Sequence, residues 1–287
     1  MQHSPTLTLL AVADHVEPLL YHNSVSSRLP KIDLIISCGD LPPYYLDFLV
    51  SSLNAPMLHV IGNHCSAPHD FQDHCLPSAY PGLLNLHARL TKISTGDGIL
   101  PLLVAGLEGS PLYNKGPHQY TEQQVAIYLL SMVPGLLRNK ARHGRYLDIL
   151  VTHAPPRGIH DNNDIAHQGF TSLLPFLQRF KPTLLLHGHT HRYDPTLPMR
   201  TRYKETEIIN AYGHVTLDLA VELNKDNEQS RAPLQSQEHH HHRERWAIVR
   251  APEGDNKSKI RAPEGVQAPL GNNHSLTTAP RSPIPDP

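Results

Sequence analysis

The chain has 287 residues, with 25 Lys and Arg against 26 Asp and Glu, a formal net charge of −1. So even a balance sets up no global field to attract nucleic acid or an anionic membrane. Apolar residues make up 39%, below an ordinary globular chain, which points to a folded body diluted by a polar segment. Cys38, Cys65 and Cys75 are too few and too irregularly spaced for a disulfide framework and suit a reducing compartment. Met1-Gln2-His3-Ser4-Pro5 lacks the cationic stretch of a secretory signal, and no apolar run reaches transmembrane length. The expectation is a soluble cytoplasmic protein with no membrane contact.

In chain order, Leu7 to Ala13 is a continuous apolar run of strand length, and Ile32 to Ser37 is a second. Met57 to Ile61, Leu102 to Ala105, Ile149 to Thr152 and Leu184 to Leu186 read the same way. Runs without alternation belong to strands covered on both faces. Helical patterns fall between them, at Tyr44 to Leu53, Thr121 to Leu137 and Phe170 to Phe180. Thr121 and Gln124 have the spacing of a capping box, and Pro134 should end or kink the helix it sits in. Ile208 to Ala211 and Val215 to Leu219 predict a late hairpin about Tyr212-Gly213. Pro111 to Gly116 and Pro155 to Gln168 are rich in Gly, Pro, Asn and His, and read as loops able to line a site. The class is α/β with a mixed sheet.

Composition shifts near Ala220. The body is expected to span residues 1–220, and residues 221–287 to form a disordered, polar, Pro-rich tail. That tail holds four consecutive histidines, His239 to His242, and Arg-Ala-Pro-Glu-Gly twice, at Arg250 to Gly254 and Arg261 to Gly265. A solvated stretch is the simplest reading of it, and one short apolar patch, Trp246 to Val249, is left over.

The chemistry sits just after the strands. The first ends at Asp14, the second at Gly39-Asp40 and the third at Gly62-Asn63-His64. A later one ends at His153, and the last opens into His187-Gly188-His189-Thr190-His191. Taken singly, an Asp after Gly is commonly a turn residue, and a lone His is commonly half-buried and satisfied. Together they deliver Asp, Asp, Asn, His and His to the carboxyl edge of a sheet, where open α/β folds bind ligands. Carboxylate, amide and imidazole donors suit a borderline divalent ion such as manganese, iron, zinc or nickel, rather than an all-oxygen calcium cage. Two such ions can grip a phosphoryl group between them.

This ordered set resembles the calcineurin-like metallophosphoesterase superfamily: Asp-x-His, Gly-Asp, Gly-Asn-His, a lone His and Gly-His-x-His, over about residues 6 to 220. Ser37-Cys38-Gly39-Asp40-Leu41-Pro42, Gly106 to Pro111 and Thr152 to Gly158 look like a bacterial subgroup of these phosphoesterases. The resemblance implies two facing mixed sheets flanked by helices, a four-layer sandwich. It implies two divalent transition-metal ions, one on Asp14, Asp40 and His191, the other on Asp40, Asn63, His153 and His189. It implies that His64 acts on the phosphate or the leaving oxygen, and that His187 stands behind the ligands.

Two departures follow. Asp14-His15-Val16 replaces Asp-x-His, and Val16 cannot bind a metal, so the first site should be weakened. Cys65 stands where an acid usually helps to orient the preceding His; Asp70 and Asp73 are possible substitutes. The expected activity is hydrolysis of small phosphate mono- or diesters by a metal-activated hydroxide. Nucleic acid is not expected, because the body has no dense basic stripe. The other reading is a ligand-depleted scaffold of the same fold that binds proteins. Six of the seven expected ligands remain, which favours the hydrolase. Glu108, Tyr113, Asn114 and Arg157 lie in loops as candidate pocket residues, with plain surface positions the alternative; the substrate-binding residues are otherwise unread.

Overall fold

The computed structural model describes residues 6–64, 83–94, 101–191, 198–223 and 244–250. In chain order the strands are β1 (Thr6–Ala13), β2 (Leu34–Ser37), β3 (Met57–His59), β4 (Leu83–Asn85), β5 (Arg89–Ile93) and β6 (Leu102–Leu107). They continue as β7 (Ser110–Pro111), β8 (Gln119–Tyr120), β9 (Ile149–Thr152), β10 (Leu184–His187), β11 (Arg200–Tyr203), β12 (Thr206–Asn210), β13 (Gly213–Leu223) and β14 (Glu244–Arg250). The helices are α1 (Val25–Arg28), α2 (Pro43–Leu53), α3 (Glu122–Ser131), α4 (Val133–His143) and α5 (Leu173–Phe180).

Two six-stranded mixed sheets result. The first runs β14-β13-β1-β2-β3-β4 and the second β11-β12-β10-β9-β6-β5, while β7 and β8 form a small separate pair. Within the first sheet β1, β2, β3 and β4 are parallel; within the second, β6, β9, β10 and β12 are parallel. Each set therefore carries its strands' C-terminal ends to one edge of its sheet.

Alternation explains why the strands are apolar throughout. Leu9, Ala11, Leu34, Ile36 and Leu58 face Val104, Val151, Leu184 and Leu186 in a core between the sheets. Leu10, Val12, Ile35 and Met57 point the other way, beneath Tyr45, Leu46 and Leu49 of α2. Leu150 and Leu185 pack under Val125 and Leu129 of α3, Leu136 of α4 and Phe176 of α5. Each strand residue is thus buried whichever way it points.

The expected helix from Thr121 to Leu137 is two helices, broken at Met132 just before Pro134, which sits in the first turn of α4 where its missing N–H costs nothing. The capping box is present: Gln124 N–H donates to Thr121 Oγ1 at 3.3 Å, and Thr121 N–H donates back to Gln124 Oε1 at 2.9 Å.

The late hairpin is not there. β12 pairs with β10 and β11 in the second sheet, whereas β13 pairs with β1 and β14 in the first. The chain crosses from one sheet to the other at Ala211-Tyr212, with Tyr212 bridging to Ala13. The boundary expected at residue 220 also shifts. β13 continues to Leu223, and Glu244–Arg250 adds an antiparallel edge strand inside the stretch expected to be disordered. The reason is Trp246, 1% exposed, whose indole fills the core between the sheets. The four-histidine run and both Arg-Ala-Pro-Glu-Gly repeats, apart from Arg250, lie outside the described residues, as do Cys65, Asp70 and Asp73.

Candidate metal centre

Three side chains come from the first sheet and three from the second. Asp14 follows β1, Asp40 follows β2 and Asn63 follows β3; His153 follows β9, and His189 and His191 follow β10. Asp14, Asp40 and His153 each offer one ligand atom, and these atoms lie within 4.8 Å of one another. Asp40, Asn63, His153 and His189 are buried, while Asp14 is partly open.

The backbone is bent sharply to achieve this. Asp14, Asp40 and His189 all have positive φ, at 61°, 55° and 69°. Such conformations cost a non-glycine residue on the order of 1 kcal/mol or more, and they concentrate at functional sites. The flanking glycines supply room. A Cβ on Gly62 would lie 1.9 Å from Asp40 Oδ1, and one on Gly188 would lie 2.3 Å from Asp14 Oδ2. Main-chain donors hold the carboxylates from behind. The His189 N–H donates to both oxygens of Asp14, at 3.1 and 2.9 Å, and the His64 N–H donates to Asp40 Oδ1 at 3.1 Å.

The hydrogen bonding of His153 is the decisive feature. Its Nδ1 donates to the Cys38 carbonyl at 2.8 Å, so in the neutral ring Nε2 carries a lone pair. That nitrogen lies 3.0 Å from Asn63 Oδ1 and 3.1 Å from Asp40 Oδ2. The Asn63 amide is oriented by its other end, since Nδ2 donates to the Tyr113 hydroxyl at 3.1 Å, which leaves Oδ1 facing the ring. Asp40 Oδ2 is buried and has no aligned hydrogen-bond donor among the described residues, close as the imidazole is. Acceptors thus converge on one small volume. A cation must sit among them, either a proton on His153 or a metal ion.

The titration behaviour expresses the same strain. Burial, with Asp40 adding to it and His153 opposing, pushes Asp14 up to about 7. Burial works against the charge on Asp40 as well, yet His153 and His64 hold it down to about 2. Burial would lower His153, but the Asp40 carboxylate, with Asp14 behind it, drives it up to about 9. Without a metal the proton stays on the imidazole; a divalent cation would displace it. The donor set, the acceptor convergence and the glycine clearance all fit such an ion.

His189 is neutral, held well below its usual range by burial and by His153. Its Nε2 donates to the Ala166 carbonyl at 2.7 Å, so Nδ1 is the ligand-capable atom. The ring lies 4.9 Å from that of His153. His191 is half-open, lowered by burial and then by His167, and its ring lies 5.2 Å from Tyr212. His64 is exposed at the mouth. His187 is fully buried behind the ligands. Its Nδ1 donates to the Gly188 carbonyl at 2.9 Å, and its Nε2 accepts from His160 Nδ1 at 2.9 Å. The other nitrogen of His160 accepts from the Thr201 hydroxyl at 2.8 Å.

Val16 packs against the core beneath α2, and His15 is exposed, stacked 5.8 Å from Tyr212. Val16 was expected to bind no metal. Sequence reasoning did not single out His160, Asp164 or His167; their only signal was the histidine-rich composition of the loop Pro155 to Gln168. Glu108 turns away from the metal ligands into its own network, accepting from His118 Nδ1 at 2.9 Å and from the Tyr120 hydroxyl at 2.6 Å. Arg157 pairs with Asp161 at 3.4 Å. Asn114 caps its own loop, accepting from Gly116 N–H and from Gln119 Nε2.

A sandwich of two mixed sheets carries, beyond its strand ends, a cluster of Asp14, Asp40 and His153 able to hold a metal ion. The chain belongs to the calcineurin-like phosphoesterase family, whose model matches residues 7–193. That family implies divalent metal ions and phosphoester substrates. No curated protein matches the chain. One solved structure, 15% identical with a TM-score of 0.51, covers 75% of this chain and 95% of its own and shares the fold. Two others are TT1561 of Thermus thermophilus, 16% identical with a TM-score of 0.48 over 74% of this chain and 94% of that one, and a phosphatase from Mycoplasma pneumoniae. The latter is 12% identical, with a TM-score of 0.42 over 73% of each chain. No helix among the described residues is long and apolar enough to cross a membrane.

Proposed function

We propose that the protein hydrolyses small phosphate mono- or diesters at this centre with two divalent transition-metal ions bound. The convergence of His153 Nε2, Asp40 Oδ2 and Asn63 Oδ1 on one volume that demands a cation carries the reading. Asp40 would bridge; Asp14 and His191 would hold one ion, and Asn63, His153 and His189 the other. Bound there, the ions would supply Lewis acidity and a water activated for attack on phosphorus.

The chain's own residues do the rest. The His64 imidazole, exposed at the mouth while its main-chain N–H is fixed on Asp40, donates to a phosphoryl oxygen or protonates the leaving oxygen. Tyr113 keeps the Asn63 oxygen turned inward. The His189 N–H fixes the Asp14 carboxylate, so that ligand geometry is set before substrate arrives.

The test is a manganese-supplemented assay of the full chain against bis-p-nitrophenyl phosphate, p-nitrophenyl phosphate and a nucleotide panel. Turnover of at least one class is expected, with loss of at least a hundredfold in Asp40→Ala. Asp40→Ala at the wild-type rate refutes the assignment. A folded wild-type chain that binds no metal and turns over nothing supports the scaffold instead.

A further inference from the structure

Tyr113 reaches the centre from the loop between β7 and β8. Asn63 Nδ2 donates to its hydroxyl at 3.1 Å, and Asn63 Oδ1 lies 3.0 Å from His153 Nε2. His153 in turn belongs with Asp14 and Asp40 to the cluster able to hold a metal ion. The two ends of a carboxamide are about 2.3 Å apart, so the phenol oxygen lies within about 5.4 Å of the Asn63 oxygen that faces the centre. The amide cannot be turned over. A protonated His153 and a metal ion both call for an oxygen at that end, so the NH2 is left for Tyr113.

A hydroxyl has one hydrogen to donate besides the lone pairs it offers. Asn63 uses a lone pair of Tyr113, and no acceptor for the Tyr113 hydrogen stands among the described residues. The side chain is only partly buried, so that hydrogen is open to an incoming molecule.

The loop is built to hold the phenol still. Its stem sits between two ligand-bearing turns: the Gly109 N–H donates to the Ile61 carbonyl at 2.9 Å, and the Gly109 carbonyl accepts from the Ala154 N–H at 3.3 Å. A Cβ on Gly109 would lie 2.0 Å from the His118 carbonyl oxygen, so only glycine fits there. Glu108 ties down both His118 and Tyr120 on the returning limb. Gln119 Oε1, buried inside the loop, accepts from the N–H groups of Tyr113 and Asn114, each at 3.1 Å. Lys115 and His118 have φ of 60° and 51°. Strained backbone of this kind persists where its surroundings over-determine it, and it concentrates at functional sites.

We propose that Tyr113 is a substrate-binding residue, whose phenol hydrogen is donated to a non-bridging phosphoryl oxygen of the bound ester while Asn63 holds the phenol oxygen in place. The proton stays on the phenol. This rests on the hydrolase reading above and adds to the orienting of Asn63 a contact with the substrate itself. A fixed donor at that oxygen strengthens as negative charge builds up on it.

Tyr113→Phe removes the hydroxyl and keeps the ring. The measurements are competitive inhibition by orthophosphate and kcat/KM for the best phosphoester, each with manganese raised to saturation, and calorimetry of orthophosphate into the manganese-loaded full chain. Orthophosphate should bind about tenfold more weakly, kcat/KM should fall at least tenfold, and both losses should persist at saturating manganese. A residue that only orients Asn63 would weaken the metal instead, and its losses would vanish once manganese saturates. That result overturns the proposal, as does a loss of less than fivefold in either quantity. Thermal melts report folding, and if Tyr113→Phe does not fold, Tyr113→Leu decides by the same criteria. A wild-type chain that turns over no phosphoester and binds no orthophosphate refutes the hydrolase reading, and this inference with it. An active wild type with an unaltered Tyr113 variant refutes this inference alone.

Discussion

Gly62→Ala should disable the centre while sparing the rest of the fold. Gly62 has no positive φ, so alanine adopts its backbone without strain. The new methyl, however, would lie 1.9 Å from Asp40 Oδ1, 2.3 Å from Cγ and 2.8 Å from the Asp40 backbone nitrogen. The carboxyl oxygen is about 1.5 Å short of an ordinary 3.4 Å contact. It can swing, but the backbone nitrogen cannot, so the whole Asp40 turn must retreat. Overpacking of this kind costs about 1–3 kcal/mol of stability. Misplacing a reacting group by about 1 Å costs roughly a hundredfold in rate. The expected variant is therefore folded, melts a few degrees lower, loses about a hundredfold in kcat/KM towards the best phosphoester, and binds manganese more weakly. Calorimetry and steady-state kinetics on the same preparation check this. A variant within threefold of wild type in both rate and manganese affinity would show that Asp40 is not the group around which the centre is built.

Metal binding should strengthen as pH rises. Asp14, up to about 7, and His153, up to about 9, hold protons in the metal-free chain that a divalent ion must displace. Manganese affinity should climb between pH 6 and 9 with proton release seen in buffers of different ionisation enthalpy; a flat profile would contradict this. Trp246→Ala should cost about 3–5 kcal/mol, the usual loss for a core aromatic, and chemical denaturation that gave no loss would remove β14 from the folded unit. The His59 imidazole is buried with neither ring nitrogen hydrogen-bonded among the described residues, and burial depresses it to about 4. The unfolded chain takes up a proton there below about pH 6.5 and the native chain does not, so stability falls as pH drops from 6.5 towards 4. His59→Leu should therefore raise the melting temperature more at pH 5.5 than at pH 7.5, and an equal shift at both would exclude that cause.

The buried strands and the residues after them are legible because both obey local rules. Leu7 to Ala13 and Ile149 to Thr152 are apolar at every position since a layer covers each face, and their ends carry the polar residues. The edge strands are not legible. Arg89–Ile93 and Arg200–Tyr203 mix charged, polar and apolar residues over only five and four positions, with no continuous apolar run to mark them. The false hairpin about Tyr212-Gly213 had correct strands and a plausible turn, but which sheet each strand joins is decided by long-range pairing with Leu184–His187 and Thr6–Ala13. β14 was hidden for a related reason. Trp246 looks like a stray aromatic in a polar tail until residues from both sheets are seen around it. The contacts of His160 with His187, and of His167 with His189, join segments more than twenty residues apart, so no spacing rule announces them.

The even division of the proposed ligands between the two sheets has a mechanical consequence. Asp14, Asp40 and Asn63 ride on one layer, and His153, His189 and His191 on the other, so the centre doubles as a gauge of how the layers are aligned. A small slippage along the seam lined by Ile36, Val104 and Val151 would separate the two halves of the ligand set with every ligand still in place on its own strand. Small trims in that hydrocarbon layer, such as Val104→Ala on β6, should therefore register in metal affinity before they register as unfolding.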